Sequence, residues 1–278
     1  MRIESRPPKR PFSLRIAARQ LLAPLRMQPD FIIVGAQKAG TSSLFTYLVQ
    51  HPAIAAPLRK EIHYFDLNAE RPYSWYKAHF PLHKALDQIT GEASPYYLFH
   101  PLVPDRIVKR LPNAKIIIML RNPIDRAVSH YWHSRRHGYE TLAPHDAFAS
   151  EEARLGTAFE VVKSGGYSSS HQHHSYAARS CYSRQVSIYI DKFPTANLKV
   201  IAMEDLVCDP GQVVADTITF LGLPPGEITD LAPRNVNPNP KTVDMPEHVL
   251  AKLKTDAAKL DTLTGRSFSK KWFGEKGP

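Results

Sequence analysis

Cysteine is nearly missing: in 278 residues only Cys181 and Cys208 occur. That excludes a disulfide framework and a cysteine metal quartet, and it leads us to expect a reducing, cytoplasmic setting. No run approaches the roughly 20 apolar residues that span a bilayer. The leader MRIESRPPKRPFSLRIAARQLLAPLRMQPD lacks an apolar segment followed by a small-residue cleavage site, so a secretory signal is not expected. No internal repeat is present. Acid is also short: 26 Asp and Glu face 36 Lys and Arg, for a net charge of +10. Such a balance favours an anionic partner, whether a polyanionic cofactor, an acidic glycan, nucleic acid or a lipid surface. Nucleic acid has only the charge in its favour, because no aromatic-basic motif accompanies it.

The imbalance is steepest at the start. Arg2, Arg6, Lys9, Arg10, Arg15, Arg19 and Arg26 stand against the single early acid Glu4. Residues 1–29 therefore read as a basic lead-in, flexible or loosely docked. Phe12, Leu14, Ile16, Leu21, Leu22 and Leu25 could line one side of a short helix, which would allow peripheral contact with an anionic membrane.

What is present after residue 30 is a βα alternation. Strands are expected at 31–34 (FIIV), 61–65 (EIHYF), 89–93 (ITGEA), 115–120 (KIIIML) and 198–203 (LKVIAM). The two long apolar runs suit strands covered on both faces. Helices are expected at 41–50, 103–111, 124–136 and in DPGQVVADTITFLGLPP. The predicted fold is α/β, an open and mostly parallel sheet flanked by helices. Residues 30–278 would form one domain, interrupted by a variable insertion at about 138–176. In that insertion a helical piece is expected near 146–155, beside the polar tract SGGYSSSHQHHSY. A segment of this kind is more often a lid or acceptor-binding element than scaffold. Its His171, His173 and His174 have no cysteine or carboxylate at ligand spacing, so no metal site is expected there.

The stretch DFIIVGAQKAGTSSLFTYL carries the chemistry. Gly35 ends an apolar strand and Gly40 closes a loop before a helix, the arrangement of a phosphate-binding loop. Unpaired amides and the helix dipole would face an anion there, with Thr41, Ser42 and Ser43 adding hydroxyls. Two features of a nucleotide hydrolase are missing. Lysine does not follow the second glycine, since Lys38 lies inside the loop. The strand KIIIML is followed by Arg121 where a magnesium-holding aspartate would be expected. The site is therefore predicted to take a nucleotide with phosphates at two ends, using cations and no metal.

IIVGAQKAGTSSLFTYLVQHP, RKEIHYFD and RNPIDRAVSHYWH, with GEASPYY, FLGLPP and a late GRSF, resemble the sulfotransferases that use 3′-phosphoadenosine 5′-phosphosulfate (PAPS). The resemblance is strongest to the group with the heparan-sulfate sulfotransferases and bacterial relatives. It runs from about residue 30 to 268 and is weak across 138–176. It implies PAPS as donor without a metal, and an acceptor that is a small molecule, a carbohydrate or a glycolipid. Carried over residue by residue, it implies that Gly35, Lys38, Ala39, Gly40, Thr41 and Ser42 form the 5′-phosphosulfate loop. Lys38 would lie by the bridging oxygen, and Arg121 and Ser129 would bind the 3′-phosphate. Lys241 is the positional match in the loop that closes over the donor, although the family's glycine-rich basic version of that loop is not reproduced.

Sulfuryl transfer also needs a base. In an extended chain Glu61 and His63 would share one face, and either could serve. The family places a glutamate in this role, so the resemblance implies Glu61 as base and His63 as a supporting contact. A kinase and a catalytically silent glycan-binding protein are the competing readings. The displaced lysine and absent strand-end aspartate count against the first. The second would not need Glu61 beside Lys38.

Overall fold

The computed structural model describes residues 13–83, 87–234 and 243–274. Among these, four parallel strands form one sheet in the order β2-β1-β3-β4: β1 Phe31–Gly35, β2 Gly91–Ala93, β3 Lys115–Leu120 and β4 Leu198–Ala202. Successive side chains on a strand point to opposite faces. Phe31 to Val34 and Ile116 to Leu120 are all fully buried, so both faces of the sheet are covered. Helices supply that cover. They are α1 Leu14–Leu21, α2 Thr41–Leu48, α3 Tyr73–Lys77, α4 Val103–Arg110 and α5 Pro123–Arg136 in the first half. The strand order reverses at β1: the chain moves to one side for β2 and crosses to the other for β3. A crevice at the carboxyl ends of β1 and β3 is where such sheets take ligands.

Local sequence accounts for the element ends that matter here. Asn122 caps α5, its Oδ1 accepting from the amides of Ile124 (3.0 Å) and Asp125 (3.3 Å), and Pro123 fills the first helical position. β1 pairs with β3 from Phe31↔Lys115 to Ile33↔Ile117, and the register then shifts so that Gly35 pairs with Ile118. Only glycine fits at that point. Its φ is 154°, and a Cβ would lie 2.6 Å from Leu98 Cβ and 2.8 Å from the Pro95 carbonyl.

The insertion after α5 is more helical than its sequence suggests. In place of one helical piece near 146–155 there are two, α6 Pro144–Ala149 and α7 Glu151–Leu155, followed by α8 Ala158–Lys163 and α9 Ser169–His173. Phe148 and Tyr176 pack with Ala127 and Tyr131 of α5 and with Val249 and Leu253 in a second, smaller core. The latter two lie on α13 Glu247–Thr264, which comes after α10 Tyr182–Lys192, α11 Met203–Cys208 and α12 Pro210–Leu221 and precedes α14 Phe268–Phe273. The histidines of the polar tract are taken up in packing. His171 is buried against Phe99 and bonded to the Tyr96 hydroxyl at 2.7 Å, while His173 stacks on Tyr139.

One expected strand is not a strand. Residues 61–65 form a turn-rich segment beside the end of β2, with φ of 59° at Glu61 and 56° at His63. The amide of Glu61 still reaches the Ala93 carbonyl (3.0 Å), but the next contacts go to side chains. His63 N donates to Ser94 Oγ (3.3 Å), and Tyr64 N donates to the Tyr97 hydroxyl (2.8 Å). The apolar-polar alternation was real, since Ile62 and Tyr64 are buried. The hydroxyls of GEASPYY replace the ladder that the alternation would ordinarily signal.

Candidate active site

Between β1 and α2 the loop is held in a shape that few residues adopt. Lys38 and Gly40 have φ of 72° and 79°, and Ala39, fully buried, donates its amide to the Ala36 carbonyl at 3.1 Å. Together these turns bring the chain to the first turn of α2, whose amides have no intrahelical partner. Lys38, Glu61 and His63 are the non-glycine residues with positive φ among the described residues. Side-chain-bearing residues in this region carry strain of about 1 kcal/mol or more each, which surrounding structure must hold in place.

A cleft of about 1110 Å³ opens above the loop. Lys38, Gly40, Thr41, Ser42, Glu61, Arg121 and Ser129 all line it, so three separate sequence segments meet in one place. Gly35 and Ala39, also expected at the site, are not in its lining: Gly35 ends β1 and Ala39 is fully buried within the loop. His63 is not in the lining either, and its Nε2 lies 3.8 Å from Glu61 Oε2. Lys241 falls outside the described residues. Arg121 follows β3 directly and donates to the Lys38 carbonyl at 3.3 Å, and the Tyr182 hydroxyl holds the Arg121 carbonyl at 2.9 Å. The cleft also contains Lys60, next to Glu61, and three residues that the sequence reading passed over, Trp132, His133 and Arg136. The i, i+4 spacing from Ser129 to His133, and from Trp132 to Arg136, on the predicted helix could have revealed the last three.

The cleft is electropositive around Lys38. Burial, followed by the charges of Arg136, Arg121 and Arg126, lowers the Lys38 pKa, with Glu61 opposing them. Glu61 accepts from Lys60 Nζ at 2.5 Å, and its Oε2 is 3.8 Å from His63 Nε2. His63 Nδ1 pairs with the buried Asp66 carboxylate at 2.8 Å. Burial disfavours the imidazolium, but Asp66 and Glu61 outweigh it and raise His63 to about 10. Burial likewise opposes charge on Glu61, yet the neighbouring His63 and the Lys60 cation hold it at about 2. Near neutral pH the pair is an imidazolium beside an ionised carboxylate. Only the carboxylate can then accept a proton.

Two buried arginines that the sequence reading did not single out hold the loop from below. Arg126 donates to Ser180 Oγ (2.6 Å), to the Tyr176 carbonyl and to the Gln37 carbonyl (3.3 Å). Arg179 donates to Gln37 Oε1 (2.6 Å), Ser175 Oγ (2.8 Å) and the carbonyls of His171 (2.9 Å) and Gln172 (2.7 Å), with its guanidinium over Tyr96. Gln37, next to Lys38, is thus clamped to the insertion. Removing Arg179 leaves several buried acceptors without a donor. Arg179→Met is expected to cost about 2–4 kcal/mol of stability. The check is a urea melt, in which the midpoint falls at unchanged slope. A midpoint equal to wild type would mean that the clamp carries no net energy.

Residues 28–274 match the family model of the sulfotransferase domain. The chain belongs to the sulfotransferase family. It is 34% identical to a crystallised sulfotransferase from Alicyclobacillus acidocaldarius, with a TM-score of 0.71 over 88% of this chain and 98% of that one. Human heparan sulfate glucosamine 3-O-sulfotransferase 6 is 33% identical over 201 residues, 71% of this chain and 53% of that protein. The membrane-associated sulfotransferase kil1 of Dictyostelium discoideum is 26% identical over 314 residues, 88% of this chain and 66% of that protein. The chain therefore spans about half to two thirds of the length of these two curated relatives. It is an enzyme, a sulfotransferase with heparan-sulfate-type relatives, on the α/β fold expected from its sequence.

Proposed function

We propose that this sulfotransferase moves a sulfuryl group from PAPS to a hydroxyl or amino group of a carbohydrate or glycolipid, with Glu61 as base and Lys38 assisting the leaving group. One observation carries the reading: cationic side chains, the loop before α2 and the Glu61 carboxylate, whose pKa is lowered, line the same cleft. The donor set fits a nucleotide with phosphates at two ends. Loop amides, Lys38, Thr41 and Ser42 would hold the 5′ end, and Arg121 with Ser129 the 3′-phosphate. A guanidinium offers a planar fork to phosphate.

PAPS supplies the activated sulfuryl group. Glu61 takes the acceptor's proton as the acceptor oxygen or nitrogen bonds to sulfur and the bond from sulfur to the bridging oxygen breaks. Lys38 offsets the charge left on that oxygen, the kind of fixed stabilisation that is usually a large catalytic term. His63, as imidazolium, steadies Glu61, and Asp66 steadies His63. A carboxylate held near 2 is a weak base, so proton transfer to it becomes favourable only late, as the acceptor bonds to sulfur. The carbohydrate class follows from the heparan-sulfate relatives.

Incubation with labelled PAPS and a panel of glycan, glycolipid and phenolic acceptors tests the proposal. Label is expected on a carbohydrate, and it should disappear with Glu61→Gln. Transfer of phosphate from ATP with magnesium, and none of sulfuryl from PAPS, would establish the kinase reading in its place.

A further inference from the structure

Helix α1 docks largely through polar side chains and turns its leucines outward. Its inward positions Ile16, Arg19 and Gln20, with Ala23 just beyond, face the domain; Ile16 packs against the main core, while Arg19 and Gln20 make polar contacts. Arg19 donates from Nε to the Ala78 carbonyl and from Nη2 to the Phe80 carbonyl, both at 2.6 Å, and Gln20 reaches Ser74 Oγ at 3.3 Å. Arg26 braces the same corner, donating to the carbonyls of Phe80 (2.9 Å) and Arg19 (3.0 Å). The outward face, at i, i+4 and i+7, is Leu14, Ala18 and Leu21, with the leucines 79% and 83% exposed. Leu22 and Leu25 follow within a turn, the latter 62% exposed. Eight large hydrophobic residues are exposed among the described residues, and these four fall within twelve positions. Leucines scattered singly on a surface need no explanation, but this many on one short docked element do.

We infer that α1 and the turn after it form a docking surface for an anionic lipid bilayer. Charge selects this occupant. Residues 1–29 carry seven Lys and Arg against one acid, and Arg2, Arg6, Lys9 and Arg10 lead directly into the leucine-bearing helix. Arg15 is exposed beside that face. An apolar stripe flanked by cations is the pattern of an interfacial helix, which buries leucines at the headgroup boundary while the cations meet anionic headgroups. A second copy of the chain would bring the same cations together and repel itself. Arg19 and Arg26 bond the helix to the body, so contact would fix the whole domain at the surface and not merely tether it.

The experiment uses the full chain with vesicles of phosphatidylcholine alone, or with phosphatidylglycerol added, separated by flotation. Binding is expected only with the anionic lipid, falling as salt is raised. The variant Leu14→Ser/Leu21→Ser/Leu25→Ser should partition at least about tenfold more weakly. It should keep the wild-type circular-dichroism spectrum and its affinity for adenosine 3′,5′-bisphosphate, because none of the three lines the cleft. No flotation of the wild type with either vesicle would overturn the inference. So would undiminished binding of the triple variant, which would trace attachment to charge elsewhere. A concentration-dependent dimer lost in the variant would assign the leucines to a second copy and also overturn it.

Discussion

Lys38→Ala is expected to lower kcat by about 10²–10³-fold at saturating donor while weakening the bisphosphate product only a few fold. Negative charge on the bridging oxygen grows only as sulfur departs, so a cation placed there acts more strongly in the transition state than in the bound donor. Interactions that strengthen at that point raise kcat, whereas those of constant strength only tighten binding. The surroundings sharpen the expectation. Lys38 sits in a left-handed backbone position, partly desolvated and pressed by Arg136, Arg121 and Arg126, so its charge is costly at rest and is relieved by an anion. Lys38→Arg keeps the charge but spreads it over a planar fork, and should restore only part of the rate. Steady-state kinetics with a circular-dichroism control reads this directly. Donor affinity reduced tenfold or more with kcat unchanged would make Lys38 a phosphate anchor only.

Glu61→Gln should cut turnover by roughly 10²-fold or more and leave donor binding intact. His63→Gln should be milder, because an imidazolium raised to about 10 assists Glu61 and takes no proton itself. The pH profile separates the two further. Glu61 is held at about 2, so its basic form persists well below the usual carboxylate range and no acid limb should appear near pH 4–5. His63 loses its charge as pH rises through about 10, so any decline of its making lies on the alkaline side. Near-normal turnover in Glu61→Gln with loss in His63→Gln would reverse the assignment.

The sequence made the strands, the glycine loop and the helix starts around the cleft far more legible than the residues that support them. FIIVG and KIIIML announce themselves as doubly covered strands, glycines mark the loop, and Asn122-Pro123 writes its own helix start. Those signals are local, so a single chain displays them. EIHYF misled because its alternation is the same in a strand and in a segment whose amides are taken by Tyr97 and Ser94. That partnership across some 30 residues leaves no periodic trace. The helices of the insertion run only five or six residues, too few to show a 3.6-residue period. Arg126 and Arg179 were invisible for another reason. Arginine reads as surface unless its partners are known, and here those partners include backbone carbonyls with no side-chain signature.

The central claim is that the cleft is built for an adenine nucleotide phosphorylated at both ends and needs no metal to hold it. Isothermal titration of the whole chain with adenosine 3′,5′-bisphosphate in the presence of EDTA tests this without any acceptor, using ATP as comparison and Arg121→Ala as control. The account predicts tight binding of the bisphosphate and much weaker binding of ATP. It also predicts a loss of about 10–100-fold for the bisphosphate in Arg121→Ala, the scale of a charge-assisted contact to phosphate. Equal affinity for the two nucleotides, or binding only when magnesium replaces EDTA, would contradict it.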